Sequence, residues 1–292
     1  MGADIPGKRH VAVADKIEAD AAAPDAGRGV GSLARGLRIL EAVVEASAPM
    51  SLANIAQVSG FDTSTAHRLL QALVKEGYIV KDDTAKKYLA SPKGFFPLSL
   101  YHPLNVIRRD AEYAMMSLRE EVGETVGLVF FCFGQRLLLD LVHGGGSLSP
   151  YYGTWVESPL HGSASGKVLL MSLTSEERRA RLGPGPYKDS TPHTITDPAI
   201  LEADLVASRE RGYVVARDDA FVGLTALGAS ITAGGEAIGC FFVFGHSTNF
   251  DDAKTERTGQ ALSRAGELFS HGTPSLKAVC DLLGPRPAAT GS

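Results

Sequence analysis

The sequence predicts an α+β fold in two parts, and three observations carry that prediction. Residues Ser51 to Tyr78, SLANIAQVSGFDTSTAHRLLQALVKEGY, hold two short helical patterns separated by Gly60. Two short alternating runs follow, around Asp82-Asp83-Thr84. In the second half, strand-like runs flank hairpin signals and are interspersed with helices, which favours an antiparallel sheet with helices over a doubly wound parallel one.

Residues 1–27, rich in Ala, Asp, Gly and Pro without periodicity, read as a disordered tail. A helix is expected from about Leu33 to Ala46, with Leu33, Leu37, Leu40 and Val44 on its inward side. Ser51 is a plausible N-cap for the next helix, whose inner face carries Leu52, Ile55 and Ala56. Gly60 supplies the backbone freedom that a helix C-terminus needs. Asp62 or Thr63 can cap the following helix, with Ala66, Leu69, Leu70 and Leu73 inward. Its outward start shows Thr63, Ser64, Thr65, His67, Arg68 and Gln71. Short hydroxyls and an arginine at the start of a second helix suit major-groove docking, because that end reaches base edges and phosphates. Tyr78 to Lys81 and Lys87 to Leu89 then alternate as a hairpin, the wing of a winged helix-turn-helix over residues 28–92. Lys81, Lys86 and Lys87 place charge where a flanking phosphate would lie, and Arg35 joins the candidate DNA-binding set. Read by itself, the wing is equally a solvated turn with surface lysines.

Charge supports this division modestly. The 292-residue chain has a formal net charge of −4. Residues 33–93 carry +2, which leaves −6 for the remainder, a basic reader on an acidic body. Cys132, Cys240 and Cys280 show no CxxC and no metal-ligand spacing, so they are expected as small apolar residues of a reduced, cytoplasmic protein. No membrane-spanning or signal segment is expected before the first domain.

Phe95 to Leu104 is an apolar connector, assigned as a linker helix at 93–104. An amphipathic helix is expected over Asn105 to Val122, with Val106, Ala114, Met115 and Leu118 inward. Strands are expected at Thr125 to Phe133, Arg136 to Val142, Tyr213 to Ala216, Leu224 to Thr232 and Ala237 to Phe244. Helices are expected from Ser163, over Pro198 to Arg211 and over Asp251 to Ser270. Residues 105–272 form the body, and 273–292 a C-terminal extension with one short helix.

Catalytic signatures in the body fail in definite ways. His161-Gly162-Ser163-Ala164-Ser165-Gly166-Lys167 is not GxSxG, because Ala164 stands at the nucleophile position. It is not a P-loop, because His161 replaces the first glycine and Val168 the magnesium-binding hydroxyl. The histidines show no HExxH, so no enzyme, metal site or cofactor is expected. The small residues do leave backbone N–H groups accessible beside the hydroxyls of Ser163 and Ser165, at the positive end of a helix dipole. They suit a bound carboxylate, or simply let a helix pack closely on a sheet.

Several stretches in order and spacing resemble the isocitrate-lyase-regulator (IclR) family of bacterial transcription regulators. They are SLARGLRILEAV, STAHRLLQALVKEGY, LHGSASGKVLL and HTITDPAILEADLVASRERGYVVARDDAFVGL, and the likeness spans roughly Ser32 to His271. The resemblance implies a winged helix, a linker helix and a profilin-like, GAF-related effector domain. It also implies dimers or dimers of dimers that bind near-palindromic operator DNA and repress or activate according to a small-molecule effector.

Carried over, the family's cavity falls at Ser163, Ala164, Ser165 and Gly166, the acidic turn Asp218-Asp219, Leu224 and Ala226, and the late strand. There the resemblance leads one to expect hydroxyls, but this chain has Phe242 and Phe244 on one face. Tyr151, Tyr152 and Trp155 fall in the covering loop. Two phenylalanines remove polar anchoring and disfavour glyoxylate- or pyruvate-like ligands, so the expected effector is a small aromatic or apolar carboxylic acid, unless the rings plug the cavity. Asp62-Thr63 also replaces the family's usual Pro-Lys ahead of the reader helix, which leaves the operator sequence open. The leading expectation is a ligand-responsive transcriptional regulator. The alternative is a small-molecule sensor whose winged helix mediates protein contacts.

Overall fold

The computed structural model describes residues 31–46, 48–91, 93, 100–132, 135–145, 156 and 158–283. The chain divides into two compact units between residues 97 and 98.

The first unit has three helices, α1 (Ser32–Val44), α2 (Leu52–Ser59) and α3 (Thr63–Lys75), and a three-stranded sheet. Its strands β1 (Met50–Ser51), β2 (Ile79–Asp82) and β3 (Lys87–Ala90) lie in the order β1-β3-β2. Ser51 ends β1 and caps α2 by accepting from Asn54 N at 3.2 Å. Gly60 closes α2 at φ 71°, where a side chain would be strained. Ile55, Ala56, Ala66, Leu69 and Leu70 are buried against Ile39, Val43, Ile79 and Tyr88.

Helix α1 corrects one expectation. Its buried residues are Ile39 and Val43, with Leu40 packed beside them. Leu33, Leu37 and Val44 are 78%, 49% and 56% exposed. Both rows satisfy helical spacing, but only the second lies over α2 and α3.

The second unit is built on a five-stranded antiparallel sheet in the order β5-β4-β8-β7-β6. The strands are β4 (Thr125–Cys132), β5 (Gln135–Val142), β6 (Val214–Arg217), β7 (Leu224–Ala233) and β8 (Glu236–His246). The helices are α4 (Pro103–Val122), α5 (Ala164–Met171), α6 (Ser175–Leu182), α7 (Pro198–Arg211), α8 (Asp252–Gly272) and α9 (Ser275–Leu283). The linker helix expected at 93–104 falls largely outside the described residues; Leu100 to His102 form a turn, and helix α4 starts at Pro103, capped by His102. Its buried row is Ile107, Ala111, Met115, Leu118 and Val122, one position on from the expected Val106 and Ala114. Helix α6 was not anticipated; it starts with a capping box in which Thr174 and Glu177 bond reciprocally.

Helices α4, α8 and α9 cover one face of the sheet, where Val126, Leu128, Phe130, Phe241 and Val243 are fully buried. Leu276 and Val279 of α9 belong to this core, so packing continues past residue 272 into the expected extension. Helices α5 and α7 cover the other face with Val129, Cys240, Phe242 and Phe244 beneath them. Among the described residues no helix is long and apolar enough to cross a membrane.

Candidate effector cavity and DNA-reading surface

In the first unit Thr63, Ser64, His67, Arg68 and Gln71 are exposed on α3, while Thr65 is half-buried. Asp62 is the cap: its Oδ1 accepts from Thr65 N at 2.9 Å and from Ser64 Oγ at 2.6 Å. These bonds hold the Asp62 carboxyl well below the usual carboxylate range. They also engage the Ser64 hydroxyl within the protein. His67 Nε2 lies 3.4 Å from Gln71 Nε2, one turn on. Arg35, on α1, is half-buried.

The wing's lysines divide. Lys81 Nζ lies 2.7 Å from Asp83, and this pairing raises the lysine and lowers the acid from their ordinary values. Asp82 Oδ1 accepts from Thr84 N and Ala85 N at 2.8 and 3.0 Å, closing the turn. Lys86 sits at φ 54° in that turn, and both Lys86 and Lys87 are exposed. The exposed charge on the wing is therefore carried by Lys86 and Lys87.

In the second unit a cavity of about 560 Å³, counting its part open to solvent, lies under the start of α5. Ser163, Ala164, Ser165, Leu224, Ala226, Phe242 and Phe244 line it, as do Val129, Val156, Ser158, Gly162, Ala216, Ala220 and Phe221. The two phenylalanine rings stack at 5.9 Å and 19° and form a wall, leaving the cavity open beside them. The Phe242 ring lies on Gly127 of β4, where a Cβ would come within 2.2 Å of it.

Three expected residues stand outside this lining. A Cβ on Gly166 would meet Leu160 O at 2.2 Å, so this glycine lets α5 lie against the backbone of Leu160. Asp218, at φ 59°, accepts from Gly223 N and Ser247 Oγ, each at 2.7 Å, and its carbonyl accepts from Thr191 Oγ1 at 2.6 Å. Asp219 is buried, 2.7 Å from Lys167 Nζ, while Asp204 lies 3.1 Å from the same ammonium. Burial pushes the Asp219 carboxyl up despite Lys167 beside it. The acidic pair thus fastens the turn that carries Ala220 and Phe221 to the cavity. Tyr151, Tyr152 and Trp155 lie outside the described residues.

Arg136 was not among the expected site residues. It is 4% exposed, on the edge strand β5, opposite Phe131. Nη1 donates to Ser163 Oγ at 2.6 Å and Ser165 Oγ at 3.1 Å; Nη2 donates to Val156 O at 3.1 Å and to Ser158 O. Burial lowers this guanidinium to about 10. A lone arginine on an edge strand carries no motif, and its partners stand 20–29 residues away in sequence.

The thiols of Cys132 and Cys240 are pushed up to about 11 and about 12 by burial, which leaves them unreactive. Among the described residues no group of acids, histidines and cysteines could hold a metal.

A winged helix in one unit and, in the other, a cavity within an antiparallel α+β body are the parts of a ligand-sensing regulator of transcription. The IclR helix-turn-helix domain matches residues 32–83, and the C-terminal domain of the bacterial transcriptional regulator IclR matches residues 101–271. The chain belongs to the IclR family of transcriptional regulators. It is 28% identical over 251 residues to the HTH-type transcriptional regulator BhcR of Paracoccus denitrificans, covering 86% of this chain and 89% of that one. It is 29% identical over 236 residues to the transcriptional repressor IclR of Escherichia coli, covering 79% and 83%. Among solved structures, Thermotoga maritima IclR superposes with a TM-score of 0.71 at 24% identity, over 82% of this chain and 98% of that one. An IclR homolog from Microbacterium hydrocarbonoxydans complexed with 4-hydroxybenzoate superposes at 0.70 and 23% identity, over 85% and 100%.

Proposed function

We propose that this regulator binds operator DNA as a homodimer or dimer of dimers in the cytoplasm, and that its effector is a small aromatic or apolar carboxylic acid. The observation that carries the effector reading is the cavity itself: stacked Phe242 and Phe244 on one wall, and serine hydroxyls at the start of α5 at one end. That the Microbacterium homolog of this fold is complexed with 4-hydroxybenzoate supports an aromatic acid as the ligand. The exposed row Leu33, Leu37 and Val44 supports self-association, since apolar side chains at helical spacing on a surface favour burial against a second copy. Thr63, His67, Arg68 and Gln71, with Lys86 and Lys87 of the wing, are the proposed DNA contacts.

The test is operator retardation at fixed salt with and without benzoate. Arg68→Ala weakens operator binding by about 1–3 kcal/mol if the guanidinium reaches a base edge or phosphate. Unchanged affinity removes Arg68 from the interface. Affinity that also fails to fall with rising salt favours a winged helix that contacts protein instead, because phosphate contacts release counterions.

A further inference from the structure

Three Lys and Arg side chains are buried among the described residues: Arg136, Lys167 and Arg178. Lys167 faces Asp219 and Asp204, and Arg178 pairs with Glu202. Arg136 has only neutral acceptors there: two serine hydroxyls and two carbonyls. A buried cation without an acid carries an uncompensated desolvation cost, and an anion placed beside it would offset that cost.

The hydroxyls in front of Arg136 show where such an anion fits. Ser163 Oγ accepts from Arg136 and donates to Pro159 O at 2.8 Å. Ser165 Oγ also accepts from Arg136, but its proton has no acceptor among the described residues. Ser165 lines the cavity. Ser163 makes no cap bond to the helix start, so its side chain leaves the first-turn amides unoccupied. Away from this end the cavity wall is Val129, Ala216, Leu224, Ala226, Phe242 and Phe244, all apolar.

We propose that Arg136 makes this cavity selective for monocarboxylates, with the ligand's carboxylate accepting the Ser165 Oγ proton and the guanidinium supplying the countercharge from behind that hydroxyl. This inference rests on the effector reading above and narrows it. The ligand carries one anionic end and an otherwise apolar body. A neutral isostere loses the charge, and a dicarboxylate would place its second charge against apolar wall. Arg136 is a positioning residue: it orients and polarises the hydroxyl that touches the ligand.

Calorimetric titration of the full-length protein with benzoate, phenylacetate, hexanoate, benzamide and terephthalate tests it. The expected result is binding by at least one of the three monocarboxylates, with benzamide and terephthalate weaker by roughly tenfold or more. Ser165→Ala, which keeps the other partners of Arg136, lowers monocarboxylate affinity about tenfold. Arg136→Met lowers it further and removes the preference for benzoate over benzamide. Glu157, outside the described residues, is the control acid, and Glu157→Gln leaves benzoate affinity within about threefold. Benzamide binding as tightly as benzoate overturns the role of Arg136, as does unchanged affinity in Ser165→Ala. So does a tenfold gain in Glu157→Gln, which would make that glutamate the counterion. No heat from any acid with the wild-type protein instead overturns the effector reading, and this inference with it.

Discussion

On β8, alternate side chains enter two environments that share a strand and little else. Phe241 and Val243 face α4, α8 and α9 in an apolar core, where Phe241 meets Phe269 edge-on at 5.2 Å and 70°. Phe242 and Phe244 face α5 and α7, across a cavity whose surroundings hold Arg136, Lys167 and Asp219. The first face is one continuous buried cluster. The second keeps free volume and holds its shape through polar partners instead. The difference separates what stabilises the sheet from what it can recognise.

The sharpest way to break that contrast is at Phe241. Phe241→Ala opens a void that the helices cannot fill and costs about 3–5 kcal/mol, read as a lower denaturation midpoint at unchanged m. The ligand preference of the molecules that remain folded stays the same. Gly127→Ala probes the other face with a smaller structural effect. Its Cβ displaces the Phe242 ring and meets Leu141 Cδ2 at 3.0 Å, so the stability cost is about 1–3 kcal/mol. Ligand affinity falls roughly tenfold or more as the ring takes up cavity volume. A large stability loss with unchanged binding would erase the distinction between the faces.

The smallest effect is a change of slope. The Asp219 carboxyl is raised in the folded protein, so as pH rises past the ordinary carboxylate value the unfolded chain ionises first. The folded state then holds more protons, and stability declines until folded Asp219 has ionised as well. Asp219→Asn flattens that decline, measured as melting temperature against pH. A decline of equal slope in the variant assigns it to another group.

The helix-turn-helix was legible because local rules determine it. Ser51 and Asp62 cap where sequence places caps, and Ala66, Leu69 and Leu70 follow the helical period into the core. Helix α1 defeated the same rule, since Leu33-Leu37-Leu40-Val44 and Ile39-Val43 are both helical rows and only tertiary packing chooses between them. Helix α6 has almost no apolar stripe; its signal was the Thr174-x-x-Glu177 box, which hydrophobic periodicity ignores. The cavity wall of Phe242 and Phe244 could be placed from strand alternation. Arg136 could not, because its meaning comes from serines 27 and 29 residues away. Gly166 and the acid pair shape the site by packing and fastening rather than by lining it, a distinction that depends on three-dimensional contacts.

The turn between β6 and β7 has a kinetic consequence. Asp218 ties its base to Gly223, Ser247 and Thr191, and Asp219 ties the same base to Lys167 of α5. Between these moorings only Ala220, Phe221 and Val222 are left, and the Phe221 ring is 62% exposed at the cavity edge. The exposed Phe221 ring changes rotamer in picoseconds to nanoseconds, while the backbone that carries it is fastened on both sides. Fast motion at this edge of the cavity is thus confined to one side chain, and the turn beneath it moves only if its buried ion pair opens.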